Sequence, residues 1–386
     1  MTIPSELGIG PIYLDYNATT PVDPRVVEAC LPFLGDHFGN PSSGHAYGRI
    51  THAAVATART SIATAIRCEA SEVIFTAGGS DGDTLAIRGA GLVGRGKHLI
   101  TQATEHPAVL AVCESLRRLH GFRITQLAVD HHGLVDPADL TAALTDDTAL
   151  VSIMHANNET GTIQPIRQLA DIAHARGALF HTDASQSFGK IAVSVPDLGV
   201  DLLTLTGHKI YAPKGVGALY VREGLQLEPS TYGGGQERGM RGGTENVALI
   251  VALGEAALIA SATANSEMQR LQQLRDTLLA ELALRLPNGV YVNGHPTARL
   301  PNTLNVSVTG VPGEQLLAAV PEIAASTGSA CHEGSHHPSP TLTAMGVHAD
   351  RARSTLRLTL GRWTTEQEMT QAAKLLSTAA EILLRS

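Results

Sequence analysis

The chain is poor in charge, in cysteine and above all in lysine. Only 17% of its 386 residues are charged, and the net charge of −8 comes without a basic block, which argues against direct nucleic-acid binding. Four widely spaced cysteines without a CxxC pair argue against a zinc ribbon and a disulfide framework; they are Cys30, Cys68, Cys113 and Cys331. The five lysines are Lys97, Lys190, Lys209, Lys214 and Lys374.

Long apolar runs are also missing from the sequence. We expect none to be long enough to span a bilayer, and the opening MTIPSELGIG lacks the basic and apolar regions of a signal peptide. We therefore expect a cytoplasmic protein that does not contact the membrane. With 43% hydrophobic residues the chain can bury a substantial core, and its length predicts about two domains.

Strand-like and helix-like segments alternate through the first part of the chain. The apolar runs EVIFTA (72–77), HLITQ (98–102) and TALVSIM (148–154) each precede a helical pattern, and ALFHTD, DLLTLTG and GALYVR supply further buried strands. This order predicts an α/β fold with a mainly parallel sheet and a site at the carboxyl ends of its strands. Candidate chemical groups follow those strands: Ser80, His106, Asn158, Asp183, His208 and Lys209.

A smaller region follows a long helical stretch that runs from Thr244 to about residue 286. PNGVYVNG marks a break, and NTLNVSV, EIAAS, TLRLTLG and a last helix from Thr364 indicate an α+β unit. We therefore predict an N-terminal segment (1–20) that packs on either domain, a large domain (21–260) and a small C-terminal domain (261–386).

Lys209 is the lysine whose position suits a cofactor-binding amine. It follows the apolar run DLLTLTGH, and Asp183 ends the run ALFHTD. Pyridoxal phosphate needs such a pair, because the lysine forms the Schiff base and the carboxylate keeps the pyridine nitrogen protonated. Each residue alone has a plainer interpretation, as a solvated lysine and a turn or cap aspartate. The other lysines, including Lys190 in a turn, fit ordinary surface or loop positions.

The segment TAGGSDGDTLAI provides a candidate phosphate site. Gly78, Gly79, Ser80 and Gly82 precede a helix, so backbone N–H groups and the helix dipole would face an anion. A glycine-rich turn of this kind is by itself more often plain turn chemistry. Thr206, two residues before His208, can add a second hydroxyl.

A set of motifs extends over nearly the whole chain: YLDYNATTP, FGNPSSGHAYGR, TEHPAVL, ANNETG, HTDASQ, TGHKIYAPKGVGALYVR, GGGQERGMRGGTENV, RLPNT, STGSAC and LRLTLGRWTTE. Together they resemble the cysteine desulfurase family of class V, fold-type I aminotransferase-like enzymes. The resemblance implies a large pyridoxal-phosphate-binding domain with a seven-stranded, mainly parallel sheet. GGSDGDT departs from the usual GGTE, Ala or Ser, then DN, but Ser80 keeps the hydroxyl, so we expect phosphate binding to persist.

The resemblance also implies a role for each matching cofactor contact. His106 would stack on the ring and help proton transfer, and Asn158 and Gln186 would contact the ring hydroxyl. An imidazole titrates near neutrality and suits such a role, although His106 alone would be read as a capping or surface histidine. The implied phosphate ligands are Gly79, Ser80, Thr206 and His208, together with Thr244 from the neighbouring subunit of a homodimer.

The implied substrate contacts are Arg357 and Asn40. A planar guanidinium binds a carboxylate by donating two parallel hydrogen bonds to it, which suits an amino-acid substrate. Arg357 could instead be one more exposed arginine, but it lies inside an apolar strand pattern, which favours the first interpretation.

Cys331 distinguishes a desulfurase from a transaminase. It lies in STGSACHEGSHHPSP, a segment of the composition expected for a mobile loop, where a thiolate could attack the substrate sulfur and carry away a persulfide. The other cysteines occur in helical patterns, which indicates buried or inert thiols. Neighbouring side chains could suggest a metal site, but we favour a solvated loop without metal; they are His332, Glu333, His336 and His337.

The sequence thus predicts a pyridoxal-phosphate-dependent cysteine desulfurase. L-cysteine would yield alanine and a persulfide on Cys331, which passes to a protein acceptor for iron–sulfur clusters, tRNA thiolation or DNA phosphorothioation. Selenocysteine lyase is an alternative, because ACHEG, HPSP and AMGV followed by LRLTLGRWTT also resemble that branch. A further alternative is a sulfur-delivery scaffold whose partner sets the specificity.

Overall fold

The protein, seen here in a computed structural model, is described over residues 10–328 and 338–385. The strands of these ranges are β1 (Ile12–Tyr13), β2 (Val73–Thr76), β3 (His98–Gln102), β4 (Arg123–Leu127), β5 (Thr148–Ser152), β6 (Leu179–Asp183), β7 (Leu202–Thr206), β8 (Gly217–Val221), β9 (Val290–Val292), β10 (Thr303–Val308), β11 (Ile323–Ala324) and β12 (Thr355–Thr359). The helices are α1 (Pro24–Cys30), α2 (Ala46–Ile66), α3 (Gly79–Val93), α4 (Pro107–His120), α5 (Pro137–Ala143), α6 (Ile166–His174), α7 (Val195–Leu198), α8 (Val247–Arg285), α9 (Gly313–Ala318), α10 (Pro340–Ala344), α11 (Ala349–Arg353) and α12 (Glu366–Arg385).

A seven-stranded sheet in the order β2-β8-β7-β6-β5-β3-β4 forms the centre of the described chain. Its neighbours pair in parallel except at β8, which runs antiparallel to both β2 and β7. The prediction of a mainly parallel α/β sheet is therefore confirmed. Since parallel strands end at the same edge, this topology gathers the residues that follow β3, β5, β6 and β7.

Helices cover both faces of this sheet, which is why its strands are short apolar runs rather than alternating ones. Leu203 and Leu205 of β7 belong to a core shared with α2, α6 and α8. Leu202, which points to the opposite face, belongs to a core shared with α3 and α4. Each strand thus contributes apolar side chains to two cores.

Some elements match the sequence interpretation closely and others are missed by it. HLITQ coincides with β3, and α4 begins at Pro107 as expected. The sequence interpretation misses β4, because this strand pairs with β3 on one side only and keeps an exposed Arg123. It also reads the segment of β9 as a break, since the three residues of this strand are partly exposed.

The C-terminal region forms a three-stranded antiparallel sheet, β12-β10-β9, and β1 pairs in parallel with β11 beside it. Helix α8 links the two parts of the molecule. Its first half packs in the core of the large sheet, and Leu271, Leu274, Leu278 and Leu282 pack in the core of the small one. The division of the chain at residue 260 stays a prediction.

The expectation that no segment is long and apolar enough to span a bilayer is wrong when length and composition alone are considered. Helix α8, 39 residues long, contains an apolar window of sufficient length, and 56% of that window is buried inside the protein. It packs against α2 and α12. Such burial is typical of a core helix in a globular protein.

The GGSDGDT segment differs from the family pattern at Gly82, and this glycine leaves room for the Thr204 side chain of strand β7. Helix α3 crosses β7, and a Cβ atom at Gly82 would lie 2.8 Å from Cγ2 of Thr204. Ala or Ser, which the family pattern has at this position, would clash with Thr204 here. Gly82 and Thr204 are therefore matched in volume.

We predict that Gly82→Ala lowers the free energy of unfolding by about 1 to 3 kcal/mol through overpacking. Thr204→Ser removes Cγ2 but keeps the hydroxyl, so the Gly82→Ala/Thr204→Ser double variant should recover most of this loss. Denaturant unfolding of the three variants measures the effect. A single variant as stable as the parent, or a double variant no better than Gly82→Ala, would contradict the packing argument.

Candidate active site

A cavity of about 590 Å³ opens where the parallel strands end, facing the C-terminal region. This volume lies in the range of small-molecule sites. Most of the predicted site residues line it: Gly79, Ser80, His106, Asn158, Asp183, Gln186, Thr206, His208, Lys209 and Arg357. Residues predicted from separate strands are thus brought to one place.

Three predicted site residues are not found among those that line this cavity. Asn40 is exposed, and its side chain accepts a hydrogen bond from the Ser42 backbone at 2.9 Å rather than contacting Arg357. Thr244 is exposed as well, as a residue acting on a neighbouring subunit would be in a single chain. Cys331 lies outside the described residues.

Lys209 ends the short turn that follows β7. Its Nζ donates to the backbone carbonyl oxygen of Asn17 at 2.5 Å and to that of Ala18 at 2.7 Å. Both carbonyls belong to the N-terminal segment and line the cavity. The amine therefore faces the site, held by backbone dipoles, and its role as the cofactor lysine stays a prediction.

Asn17 is the main functional candidate that the sequence interpretation misses. Its side-chain Nδ2 donates to the Asn158 carbonyl at 3.2 Å and to Thr303 Oγ1 at 2.9 Å, and its Oδ1 accepts from Asn302 at 3.1 Å. It is 1% exposed. Its place in the YNATT motif was the available signal, but nothing in that motif shows how many partners this residue gathers.

The expectation that Lys190 is an ordinary turn lysine on the surface is wrong. Lys190 is 8% exposed, and its Nζ donates to Gln186 Oε1 at 2.6 Å and to Asn17 Oδ1 at 2.9 Å. Burial, with Lys209 and Arg357 nearby, holds the pKa of Lys190 well below its ordinary value. This amine therefore belongs to the surroundings of the site.

Three of the carboxyl groups that line the cavity are those of Asp83, Glu105 and Asp183. Asp183 accepts a hydrogen bond from the Ser185 backbone at 2.8 Å. Burial, and next the charge of Asp183, raise the pKa of Asp83 well above its usual range. Burial likewise raises the pKa of Glu105, whose Oε1 accepts from the Met154 backbone at 2.6 Å. Asp83 and Glu105 are thus neutral acids beside Asp183, and the sequence interpretation misses both.

His181 approaches Asp83 without forming an ion pair. Its Nε2 lies 3.7 Å from Asp83 Oδ1, but burial lowers the pKa of His181 to about 3. Its two ring nitrogens instead bond the hydroxyls of Ser152 at 2.8 Å and Thr204 at 3.0 Å. The contact joins two neutral groups.

His106 combines the two interpretations that the sequence allows. Its Nδ1 accepts a hydrogen bond from the Ala108 backbone at 3.2 Å and so caps α4, while the side chain lines the cavity. Burial lowers the pKa of His106 from its ordinary value, which keeps the ring neutral near pH 7. With Nδ1 used as an acceptor, the ring proton lies on Nε2.

The start of helix α3 and neighbouring hydroxyl groups also line the cavity. Helix α3 begins at Gly79, with Ser80 in its first turn and Thr206 lying against Gly79. Asp81 accepts from the Ala77 backbone at 2.8 Å, which holds the turn ahead of the helix. A helix N-terminus with an adjacent hydroxyl provides an anion site.

His208 also lines the cavity. Burial, followed by the charges of Lys209 and Lys214, lowers the pKa of His208 to about 4. The ring is therefore neutral at pH 7, and its Nδ1 lies 3.2 Å from Thr19 Oγ1.

Arg357 reaches the cavity from β12, where it is buried as the sequence pattern suggests. One guanidinium nitrogen pairs with Asp15 at 2.8 Å, and the other donates to the carbonyls of Asn158 at 3.3 Å and Gly328 at 3.2 Å. Its Nε has no hydrogen-bond partner within the described ranges. Any carboxylate that binds this guanidinium would therefore have to compete with Asp15 or share the guanidinium with it.

The cysteines that the structure describes have unreactive surroundings. Burial raises the pKa of Cys113 to about 12 and that of Cys30 in the same direction. Burial and the charges of Glu72 and Glu69 raise the pKa of Cys68 to about 12. Since the thiolate is the nucleophile, these three thiols are poor candidates for sulfur transfer.

The groups around the cavity fit pyridoxal phosphate. An amine and a carboxylate follow adjacent strands, and a helix N-terminus with hydroxyls suits the phosphate. Both Gly79 and Ser185 line the cavity. A Cβ atom at Gly79 would lie 3.1 Å from Ser185 Oγ, so a glycine avoids a tight contact there. No group of three or more metal-ligating side chains is found within residues 10–328 and 338–385.

The chain belongs to the class-V aminotransferase family, whose model matches residues 12–371. It is 47% identical over 376 residues to a cysteine desulfurase IscS of Dictyoglomus turgidum, covering 96% of this chain and 95% of that protein. The family resemblance drawn from the motifs is therefore confirmed.

Solved structures agree with this assignment. A NifS-like protein, 34% identical, has a TM-score of 0.89 and covers 97% of this chain and 100% of its own. SspA in complex with cysteine, 36% identical, has a TM-score of 0.80 and covers 92% of this chain and 99% of its own.

We predict that Asp83→Asn stabilises the cofactor-free protein in a pH-dependent way. The folded state keeps the Asp83 proton above about pH 4, where the unfolded chain releases it, so this group lowers wild-type stability as pH rises. The variant should gain more than about 1 kcal/mol near pH 8, with a smaller gain near pH 5.

Denaturant unfolding at the two pH values measures this difference, with Asp146→Asn at a fully exposed carboxylate as the matched control. A gain for Asp83→Asn that does not depend on pH would contradict the assignment of a buried neutral acid.

Proposed function

We propose that the protein is a pyridoxal-phosphate-dependent cysteine desulfurase that converts L-cysteine to L-alanine and holds the sulfur as a persulfide on Cys331. The observation that carries the proposal is that Lys209, Asp183 and Arg357 line one cavity. The first two suit the cofactor, and the third suits an amino-acid carboxylate. The Dictyoglomus relative, named a cysteine desulfurase, supports the same reaction.

Bound pyridoxal phosphate supplies an electron-accepting ring. Lys209 would bind its aldehyde carbon, and Asp183 would hold the proton of the ring nitrogen. Gln186 and Asn158 are assigned to the ring hydroxyl, and the phosphate ligands are Gly79, Ser80, Thr206 and His208. Burial favours the neutral form of Asp83 and Glu105, which reduces the negative charge close to Asp183.

His106 and Arg357 are assigned to the substrate. His106 is proposed to stack on the cofactor ring and to help proton transfer as a neutral imidazole whose Nε2–H donates, since Nδ1 accepts from the Ala108 backbone. Arg357 orients the substrate carboxylate through the side of the guanidinium now paired with Asp15. Asn40 is proposed to assist it from the second subunit, since this residue is exposed in the single chain.

The sulfur step is assigned to Cys331 on sequence grounds. Its thiolate attacks the substrate sulfur, the S–S bond forms and the C–S bond breaks. The C–S electron pair stays with the substrate carbon, which takes up a proton to give alanine. The raised pKa values of Cys68 and Cys113 support this choice by elimination among the described thiols.

We place the enzyme in the cytoplasm, where a persulfide carrier and free thiols persist. Its acceptor is proposed to be a protein that serves iron–sulfur assembly, tRNA thiolation or DNA phosphorothioation. Direct contact with nucleic acid is not part of the proposal, because the net charge is −8 without a basic block.

A homodimer with shared sites accompanies this proposal. Large side chains near the loop of Asn40 are exposed, and Phe38 and Tyr47 stack with ring centroids 5.3 Å apart. A second copy would cover this apolar surface and bring Thr244 to the phosphate of the neighbouring site. Sedimentation should give the mass of two chains, and the mass of one chain would contradict the shared site.

We predict that Cys331→Ser stops alanine release from L-cysteine but keeps cofactor binding and some activity toward L-selenocysteine, because selenium leaves more readily than sulfur. Cys68→Ser is the matched control and should keep activity toward both substrates. Lys209→Ala should contain no cofactor that borohydride fixes to the protein. Assays of alanine formation measure the activities, and the mass of the borohydride-treated protein shows whether the cofactor is fixed to it.

Full desulfurase activity in Cys331→Ser would refute the persulfide step. A wild-type protein that acts on L-selenocysteine alone would identify a selenocysteine lyase instead. A borohydride-fixed cofactor in Lys209→Ala would overturn the assignment of the lysine.

A further inference from the structure

The candidate is Lys190, the buried amine that the proposed reaction does not use. Burying a lysine side chain is costly, whether it stays an ammonium group or gives up its proton to become a neutral amine. The two hydrogen bonds that Lys190 donates end on amide oxygens, those of Gln186 and Asn17. These acceptors carry no charge, so the contacts do not form an ion pair and an apolar residue could have filled the space at lower cost. The residue therefore needs an explanation other than stability.

The contacts of Lys190 fix the orientation of the Gln186 amide. The Lys190 amine donates to the oxygen end of that amide and so holds the oxygen toward itself. The Gln186 nitrogen is left to donate to the Asn17 backbone carbonyl at 3.0 Å, next to the cavity that Gln186 lines. If the Gln186 amide were flipped, its N–H groups would face the N–H groups of Lys190. Its oxygen would then face the backbone carbonyl oxygen of Asn17.

The same amine fixes the side chain of Asn17. Lys190 selects its oxygen, while the nitrogen donates to the Asn158 carbonyl and to Thr303 Oγ1. The Asn17 backbone carbonyl, held in this way, accepts from both Gln186 and Lys209. Lys190 thus contacts Gln186, the proposed ligand of the ring hydroxyl, directly. It is linked to Lys209 through Asn17.

We propose that Lys190 is a positioning residue for the desulfurase reaction: it directs the Gln186 amide nitrogen into the cavity and holds the Asn17 carbonyl against Lys209. This inference rests on the proposed function, because the groups it orients are those assigned to pyridoxal phosphate. Lys190 itself does not contact substrate. A purely structural role would instead tie the N-terminal segment to the sheet without affecting the cofactor.

The test is a double-mutant cycle on cofactor affinity, measured by titrating the cofactor-free protein with pyridoxal phosphate and following the absorbance band. Lys190→Met should weaken binding by about tenfold, the worth of one misplaced hydrogen bond, and shift the band. Gln186→Leu should weaken it similarly. Adding Lys190→Met to Gln186→Leu should then cost less than about threefold, because the two residues act as a unit.

Lys374→Met, at an exposed lysine on α12, is the matched control and should bind as the wild type does. Lys190→Gln keeps a donor group, so it should lose less affinity than Lys190→Met and covers the case in which that variant does not fold. Affinity and absorbance band unchanged in Lys190→Gln and Lys190→Met, or losses that multiply in the double variant, would overturn the inference.

The two proposals fail differently. A wild-type protein that binds no pyridoxal phosphate refutes the proposed function and this inference together. Wild-type binding combined with unchanged binding in the Lys190 variants refutes the positioning role alone.

Discussion

The hydrogen bonds of Asn17 are the interaction on which the site depends. Through its backbone and side chain, this residue joins Lys209, Gln186 and Lys190 of the large sheet to Asn302 and Thr303 near the small one. Because polar groups that are buried together must all find partners, moving any one of them leaves another unsatisfied. The cavity between the two sheets is therefore held in a single arrangement.

Burial controls the charge of the groups around this cavity. It keeps Asp83 and Glu105 neutral and lowers the pKa values of His106, His208 and Lys190. Side chains whose charged form is disfavoured by burial thus surround the residues proposed to act on cofactor and substrate as charged groups. Acid–base chemistry near pH 7 is thus assigned to few positions, in accordance with the pattern of perturbed groups expected at catalytic sites.

Much of the fold and part of the site could be predicted from the sequence. Asp183 was identifiable because it ends the buried strand β6, and Lys209 because it lies just beyond the buried strand β7, since parallel strands end at one edge. Lys190 was not, because its turn looks like a surface turn until Asn17, far away in sequence, covers it. The edge strand β4 was missed for a similar reason, since its polar residues become a strand only by pairing with β3.

The proposed reaction passes sulfur from L-cysteine to Cys331. The most direct test is brief exposure of the wild-type protein to L-cysteine that carries a heavy sulfur isotope, followed by mass analysis of its peptides. One labelled sulfur should appear on the peptide that contains Cys331. Label on the peptides of Cys30, Cys68 or Cys113 instead, or alanine formed with no labelled peptide, would contradict it.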